Sequence, residues 1–276
     1  MGQRRRCASL LVYCVCARAQ ATPPAEIRGV DDQPVYLIDD DGLCAVVSPL
    51  LPPAVAVVPD VPRILAFEKV VETFHRDRTV LPFRFGCVMD GEIRVREALR
   101  VRRGEYQAFL GRLNGCVEMG VRLLMPWTYR ATSGDGPGPD SAADGAAPAG
   151  ASPGIRYLHA RRARFRKEER SALREAESIE RCRTAFAGLY VDFRSELSPV
   201  RGSRSSEGDH AAPRGQDSVE PGVRMASLMF LVKKDQEKAF REAFRVLSRK
   251  GETKILLSGP WPPYSFVLGN EAKSGG

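Results

Sequence analysis

Between Val117 and Met125 the chain alternates. Val117, Met119, Val121, Leu123 and Met125 are apolar, and Glu118, Gly120 and Arg122 stand between them. A period of two sends successive side chains to opposite faces, so this stretch is predicted to be a half-buried β-strand. The segments after it narrow the fold. A long helix is expected from Ile155 to about Gly188, with Phe165, Ala172, Ala176, Ile179, Phe186 and Leu189 as its buried stripe. Leu189–Phe193 is a strand candidate and Ser227–Val232 a strongly apolar strand. Asp235 then caps a helix with Ala239, Phe240, Ala243, Phe244 and Leu247 on one face, and Thr253–Ser258 forms the last strand. The order is β-α-β-β-α-β, the ferredoxin-like pattern, in which an antiparallel sheet carries two helices on one face.

The first half also reads as mixed α+β. Leu10–Cys16 is a continuous apolar run that suits a buried strand. Val35–Ile38 and Leu43–Ser48 flank Asp39-Asp40-Asp41-Gly42, a hairpin signal. Ile64 to Asp77 turns helical, with Ile64, Phe67, Val71 and Phe74 on one face, Glu68 and Glu72 opposite, and Asp60 upstream as a cap. Val80–Phe85 is a strand candidate that tolerates Pro82 only at an edge or an end. One helix is expected from Glu92 to Leu113, weakened by Gly104 and stopped at Asn114-Gly115. The chain of 276 residues then divides into an N-terminal α+β domain, 1–115, and a C-terminal ferredoxin-like domain, 116–268. The second domain carries a low-complexity insert at 131–154 and a polar loop at 198–222, both expected to be flexible, and a disordered tail comes last, at 269–276.

The net charge of +8 is local. Arg4, Arg5 and Arg6 form a basic tip, and residues 155–183 hold ten Lys and Arg against five Glu; the remainder balances at 29 of each sign. Glutamates interleaved with arginines suit a solvated face better than a phosphate groove, so the helix reads as a docking face for an acidic protein partner, with Arg162 and Arg166 as candidates. The seven cysteines are dispersed and include no CxxC pair, which fits free thiols in a reducing cytosol. The basic tip, the apolar run Cys7 to Cys16 and Ala17-Arg18-Ala19 imitate a secretory signal; a basic tip before a buried strand is the favoured reading, because the run lacks a leucine core.

No local motif carries chemistry. His75, His159 and His210 lack metal-ligand spacing. His75-Arg76-Asp77 imitates a kinase catalytic loop, but Pro82 stands where that loop needs an Asn, and His75 is expected on the solvent side of a helix end. Asp39, Asp40 and Asp41 fit a tight acidic turn better than a cation loop.

Two segments look specific. In Arg76-Asp77-Arg78-Thr79-Val80-Leu81-Pro82-Phe83-Arg84-Phe85-Gly86, Arg84 either faces water on an edge strand or grips a buried carboxylate such as Glu118. In Ser258-Gly259-Pro260-Trp261-Pro262-Pro263-Tyr264-Ser265-Phe266-Val267, prolines fix the backbone and aromatics supply apolar surface. That segment packs back onto the domains or offers Trp261, Tyr264 and Phe266 to a partner, with Arg84 as a further partner-binding candidate that supports the patch, and the two readings are compatible.

These stretches, together with Leu65–Val71 and Val117-Glu118-Met119-Gly120-Val121-Arg122, resemble the gas vesicle protein F/L family, whose members show "TVLPLRFG"-like, "VEMGVK"-like and "TGPWPPYSF"-like segments. The resemblance runs from about Leu10 to Val267. It implies a two-domain α+β protein of the cytoplasm and the gas vesicle. It implies a non-enzymatic accessory or minor structural component that binds the small shell protein and other accessory proteins. No cofactor, metal, small-molecule ligand, nucleic acid or membrane enters that reading. It also implies that Leu10–Cys16 is a first core strand rather than a leader. The runner-up is a ferredoxin-like nucleic-acid-binding module that uses the basic helix 155–183, although the RNA-binding aromatic string is absent. An enzyme with a non-local site is a third, weaker reading.

Overall fold

A computed structural model of the chain describes residues 9–18, 27–50, 59–127, 152–200, 222–250 and 254–267. The fold is mixed α+β and holds two antiparallel sheets. The first half contains, in order, β1 (Ser9–Ala17), β2 (Tyr36–Asp40), β3 (Leu43–Pro49), α1 (Val61–Asp77), β4 (Val80–Pro82), β5 (Val88–Asp90), α2 (Gly91–Val101) and α3 (Arg103–Leu113). The sheet order is β2-β3-β1-β4, and β5 also pairs with β1.

β1 lies inside this sheet, flanked by β3 on one side and by β4 and β5 on the other. Both of its faces are covered, which is why its sequence is continuously apolar instead of alternating. Leu10, Val12 and Val15 enter the core under α2 and α3. Leu11, Tyr13, Cys14 and Cys16 enter the core under α1. A register shift between Val12 and Cys14 lets neighbouring residues share the second face.

The expected hairpin forms. Asp41 and Gly42 take positive φ of 40° and 89°, the handedness that matches the twist of the paired strands. Its acidic turn is clamped by arginines: Asp40 meets Arg100 at 3.1 Å and Arg103 at 3.4 Å, and Asp41 also pairs with Arg103. The Asp60 carboxylate accepts the Arg63 N–H at 2.8 Å and caps α1. β4 stops at Pro82 on the sheet edge, where a missing N–H costs nothing. The expected continuation to Phe85 is a turn, and Gly86 has φ +88°. The expected single helix over Glu92–Leu113 is two, broken at Arg102. The break lets Val95 and Leu99 of α2 and Tyr106, Leu110 and Leu113 of α3 all reach one core.

The second half contains β6 (Cys116–Trp127), α4 (Pro153–Ala185), β7 (Asp192–Val200), β8 (Gly222–Lys233), α5 (Glu237–Lys250), β9 (Lys254–Trp261) and the single turn α6 (Tyr264–Val267). The sheet order is β7-β8-β6-β9, antiparallel throughout. Met119, Val121 and Leu123 of β6 pack with Phe230 of β8, Phe186 beyond the end of α4 and Phe240 of α5. The Phe186 and Phe240 rings stack at 4.2 Å. β7 begins later than expected and runs to Val200, so the expected loop at 198–222 starts inside a strand. Most of the expected insert and loop, the tail, the Arg4–Arg6 tip and Cys7 lie outside the described residues.

One expectation for α4 fails. Ile179 packs against the core and Cys182 and Phe186 are buried in it, but Phe165 is 59% exposed, and Ala172 and Ala176 are exposed too. Periodicity predicts which face of a helix is apolar, not how far along the helix its cover extends.

The halves share a core. Leu231 of β8 and Phe266 of α6 sit in the same cluster as Leu10 and Leu113. Lys234, after β8, donates through Nζ to the carbonyls of His75 and Arg76 at 3.2 and 3.1 Å, a cation on the C-terminus of α1. His75 itself is buried at 7% exposure, not on the solvent side as expected, and neither ring nitrogen has a hydrogen-bond partner. Burial and then the nearby Lys234 push its pKa down to about 4.

Candidate functional site

The proline- and aromatic-rich terminus is a clasp over the seam between the halves. At Gly259 φ is +102°, and a Cβ there would stand 2.6 Å from the Glu118 carbonyl oxygen. The chain can pass so close to β6 only as glycine. The Gly259 carbonyl accepts a hydrogen bond from Arg241 of α5 at 2.8 Å, and the Gly259–Pro260 peptide is cis. Pro262 and Pro263 are buried, and the chain then turns into α6.

Three consecutive side chains of α6 face inward. The Tyr264 hydroxyl donates to Glu68 of α1 at 3.0 Å. Ser265 donates to Glu118 of β6 twice, from its backbone N–H at 2.8 Å and from its hydroxyl at 2.7 Å. Phe266 is wholly buried, with the Arg194 guanidinium 5.6 Å from its ring centroid. Burial raises the pKa of Glu118 and the Ser265 hydrogen bonds partly offset this; Glu68 is raised for the same reason, with Tyr264 opposing. Burial, then the Glu68 charge, pushes Tyr264 far up.

The sequence-predicted residues therefore separate. Of the residues proposed for a partner surface, Phe266 is wholly buried, and Tyr264 is half-buried with its hydroxyl engaged by Glu68. Trp261 is 46% exposed at the end of the edge strand β9. The pairing of Arg84 with Glu118 does not occur: Ser265 takes both Glu118 oxygens, and Arg84 is exposed in the turn after β4. There it borders a cleft whose apolar wall includes Leu81, Phe83, Met89, Tyr106 and Phe109. Arg102, which also lines the cleft, is held by Glu105 at 2.9 Å and lies over the Tyr106 ring at 5.4 Å. Arg162 and Arg166 are exposed on α4, far along the chain from both places.

Sequence reasoning missed Glu68, Ser265 and Lys234 as parts of the seam. One signal was available: polar residues inside a proline-rich segment that buries itself must find partners.

Among the described residues no group of His, Cys, Asp and Glu side chains can hold a metal ion. The cysteine thiols of β1 and β3 are pushed up by burial, Cys16 to about 11 and Cys44 further, which holds them as thiols rather than nucleophilic thiolates. Among the described residues no helix is long and apolar enough to cross a membrane.

Residues 9–268 match the profile of the family described as "Gas vesicle synthesis protein GvpL/GvpF". The chain belongs to that family. Two similar proteins are gas vesicle protein L2 of Halobacterium salinarum, 26% identical over 271 residues, and gas vesicle protein L1 of the same organism, 24% identical over 269. Each alignment covers 93% of this chain and 90% or 89% of the relative. The fold resembles the crystal structures of gas vesicle protein GvpF from Anabaena (TM-score 0.64, 18% identity, 94% of this chain and 96% of that one) and from Microcystis aeruginosa (TM-score 0.65, 15% identity, 94% and 99%). The clasp thus belongs to a GvpL/GvpF-family chain with the mixed α+β architecture of those structures.

Proposed function

We propose that this protein is a non-enzymatic accessory component of gas vesicle assembly, a chaperone-like adaptor that binds the small shell protein and other accessory proteins. The family match across residues 9–268 carries this reading. The association with gas vesicles, in the cytoplasm, is part of it. We read residues 1–115 as an N-terminal α+β domain and 116–268 as a ferredoxin-like domain. The order β7-β8-β6-β9, built from β-α-β-β-α-β, supports that division.

An adaptor for a very apolar shell subunit requires no catalytic group. It requires exposed apolar surface beside charged rims. Trp261 on the β9 edge and the Arg84 cleft have that character, and the shared core at the seam makes a firm scaffold beneath them. The nucleic-acid reading is weaker, since exposed Leu158 and Phe165 among the arginines of α4 serve no purpose against phosphate.

The test is co-expression of the tagged full chain with the small shell protein. Retention of the shell protein in soluble complex, reduced by Trp261→Ala, is the expected result. Shell protein that aggregates equally with and without this chain, and never co-purifies, overturns the adaptor reading.

A further inference from the structure

The long helix carries an apolar stripe that nothing in the described structure covers. Ile155, Leu158, Phe165 and Leu173 are 46%, 52%, 59% and 58% exposed. At about 100° per residue they fall within an arc of about 80°. They are therefore one face, and scattered single exposures are not the explanation.

Charges accompany the stripe at defined places. Arg162 and Glu169 lie within the same arc, between the apolar residues, and both are exposed. Arg166 flanks one side. On the other, Arg161 lies over the Phe165 ring with its guanidinium carbon 5.8 Å from the centroid. Around Leu158 and Phe165 the sequence is strongly basic: residues 153–170 contain seven Lys and Arg against two Glu.

This pattern selects among occupants. A lipid surface accepts a helix whose apolar face is unbroken, and here Arg162 and Glu169 would enter the acyl boundary with no counter-charge. A phosphate backbone uses the arginines and leaves the apolar residues exposed. A second copy of this helix would bring the same basic segment against itself in parallel, and would offer it a charge-balanced segment in antiparallel. A helix that is apolar on one face and acidic on its flanks satisfies both features together. Its apolar residues cover Leu158 and Phe165, and a carboxylate meets Arg162 within the seam, where an Arg fork binds it with two hydrogen bonds.

We propose that the exposed face of α4, from Ile155 to Leu173, is a docking site for an acidic amphipathic helix of a partner protein. The proposal deepens the adaptor reading, on which the existence of a partner rests, by assigning one surface and the chemistry of what it holds.

The test uses the full chain and two synthetic helical peptides with the same leucine face, one with Glu on its flanks and one with Lys, titrated by fluorescence anisotropy. The acidic peptide is expected to bind the natural chain. Phe165→Ser and the double variant Arg162→Glu/Arg166→Glu are each expected to weaken it by about tenfold or more. The double variant is expected to bind the Lys peptide more tightly than the natural chain does. These positions are exposed, and unchanged thermal melting checks that the variants fold. Equal affinity of all three chains for the acidic peptide, or no binding at all, overturns the proposal. So does binding to vesicles of phosphatidylcholine and phosphatidylglycerol that is lost in the same variants while the peptide fails to compete. A dimer that Phe165→Ser dissolves also overturns it, in favour of self-association. Co-purification separates the two levels. Capture of shell or accessory proteins that is equal for the natural chain and the double variant sinks the α4 site and leaves the adaptor reading. Their absence from both sinks the adaptor reading, while the peptide titration still decides the α4 site.

Discussion

Ser265 donates both its backbone N–H and its hydroxyl to the carboxylate of Glu118, 147 residues earlier, at 2.8 and 2.7 Å. This pair, a buried carboxylate and a half-buried serine, fastens the C-terminal turn to the central strand β6, while the adjoining Tyr264 fastens it to α1. Removing the acceptor leaves two half-buried donors of Ser265 without their partner. Glu118→Ala is therefore expected to cost about 2–4 kcal/mol of unfolding free energy, and Glu118→Gln, which keeps one carbonyl acceptor, clearly less. Urea unfolding of the two variants checks the order. Equal losses would mean that what both variants remove, the carboxylate charge and its second acceptor oxygen, sets the cost, and that the retained carbonyl contributes nothing.

Gly259 is the second fixed point of the clasp. Ala there meets both an unfavourable positive φ and a backbone oxygen that cannot move without shifting β6. Gly259→Ala is expected to destabilise by about 2 kcal/mol or more. At Gly42, whose φ is also positive but which has open space around it, Gly42→Ala is expected to cost about 1 kcal/mol. Thermal melts of the two single variants, read side by side, separate close approach from backbone strain.

His75 gives the fold a pH dependence. In the unfolded chain it takes up a proton as pH falls through about 6.5, whereas in the folded chain it does so only near 4. The unfolded state thus binds more protons within this window, so stability is full above it and falls as pH drops from about 6.5 towards 4. The loss is on the order of 3 kcal/mol. Glu68 and Glu118 act in the opposite sense, because their raised pKa values favour the folded state as they protonate. Unfolding free energies of the natural chain and His75→Phe between pH 7 and pH 4 isolate the histidine. The natural curve is expected to fall more steeply, and parallel curves would refute the assignment.

The legible part of the sequence was local. The Asp-Gly turn, the Asp60 cap and the edge position of Pro82 each depend on a few neighbouring residues, because turn, cap and ladder chemistry act over that range. The alternation at Val117–Met125 determined a strand face because the period of two is insensitive to the rest of the chain. The seam was not legible. Tyr264 and Glu68 are separated by 196 residues, and no local pattern encodes their meeting. Glu68 even stood on the helix face expected to be wet, since a covering segment from the far end of the chain leaves no trace in the helical period. Phe165 shows the converse: its position repeats the spacing of Ile179 and Phe186, yet the core stops short of it.

The three aromatics of the terminus should therefore fail in different ways. Phe266 is fully buried, and Phe266→Ala is expected to cost about 3–5 kcal/mol through lost burial and the cavity left behind. Tyr264→Phe keeps the ring and removes only the donor to Glu68, for an expected cost of about 1 kcal/mol, because a half-buried carboxyl group then lacks that bond. Trp261 is 46% exposed, and Trp261→Ala is expected to shift stability by less than about 1 kcal/mol. Capture of the shell protein should order the variants differently. If β9 presents Trp261 to a partner, Trp261→Ala weakens capture at unchanged stability, whereas Tyr264→Phe leaves capture intact at temperatures where the chain is folded. Measuring melting and capture on the same three variants distinguishes a binding residue from two that hold the clasp closed. Full capture by Trp261→Ala would remove that residue from the binding surface.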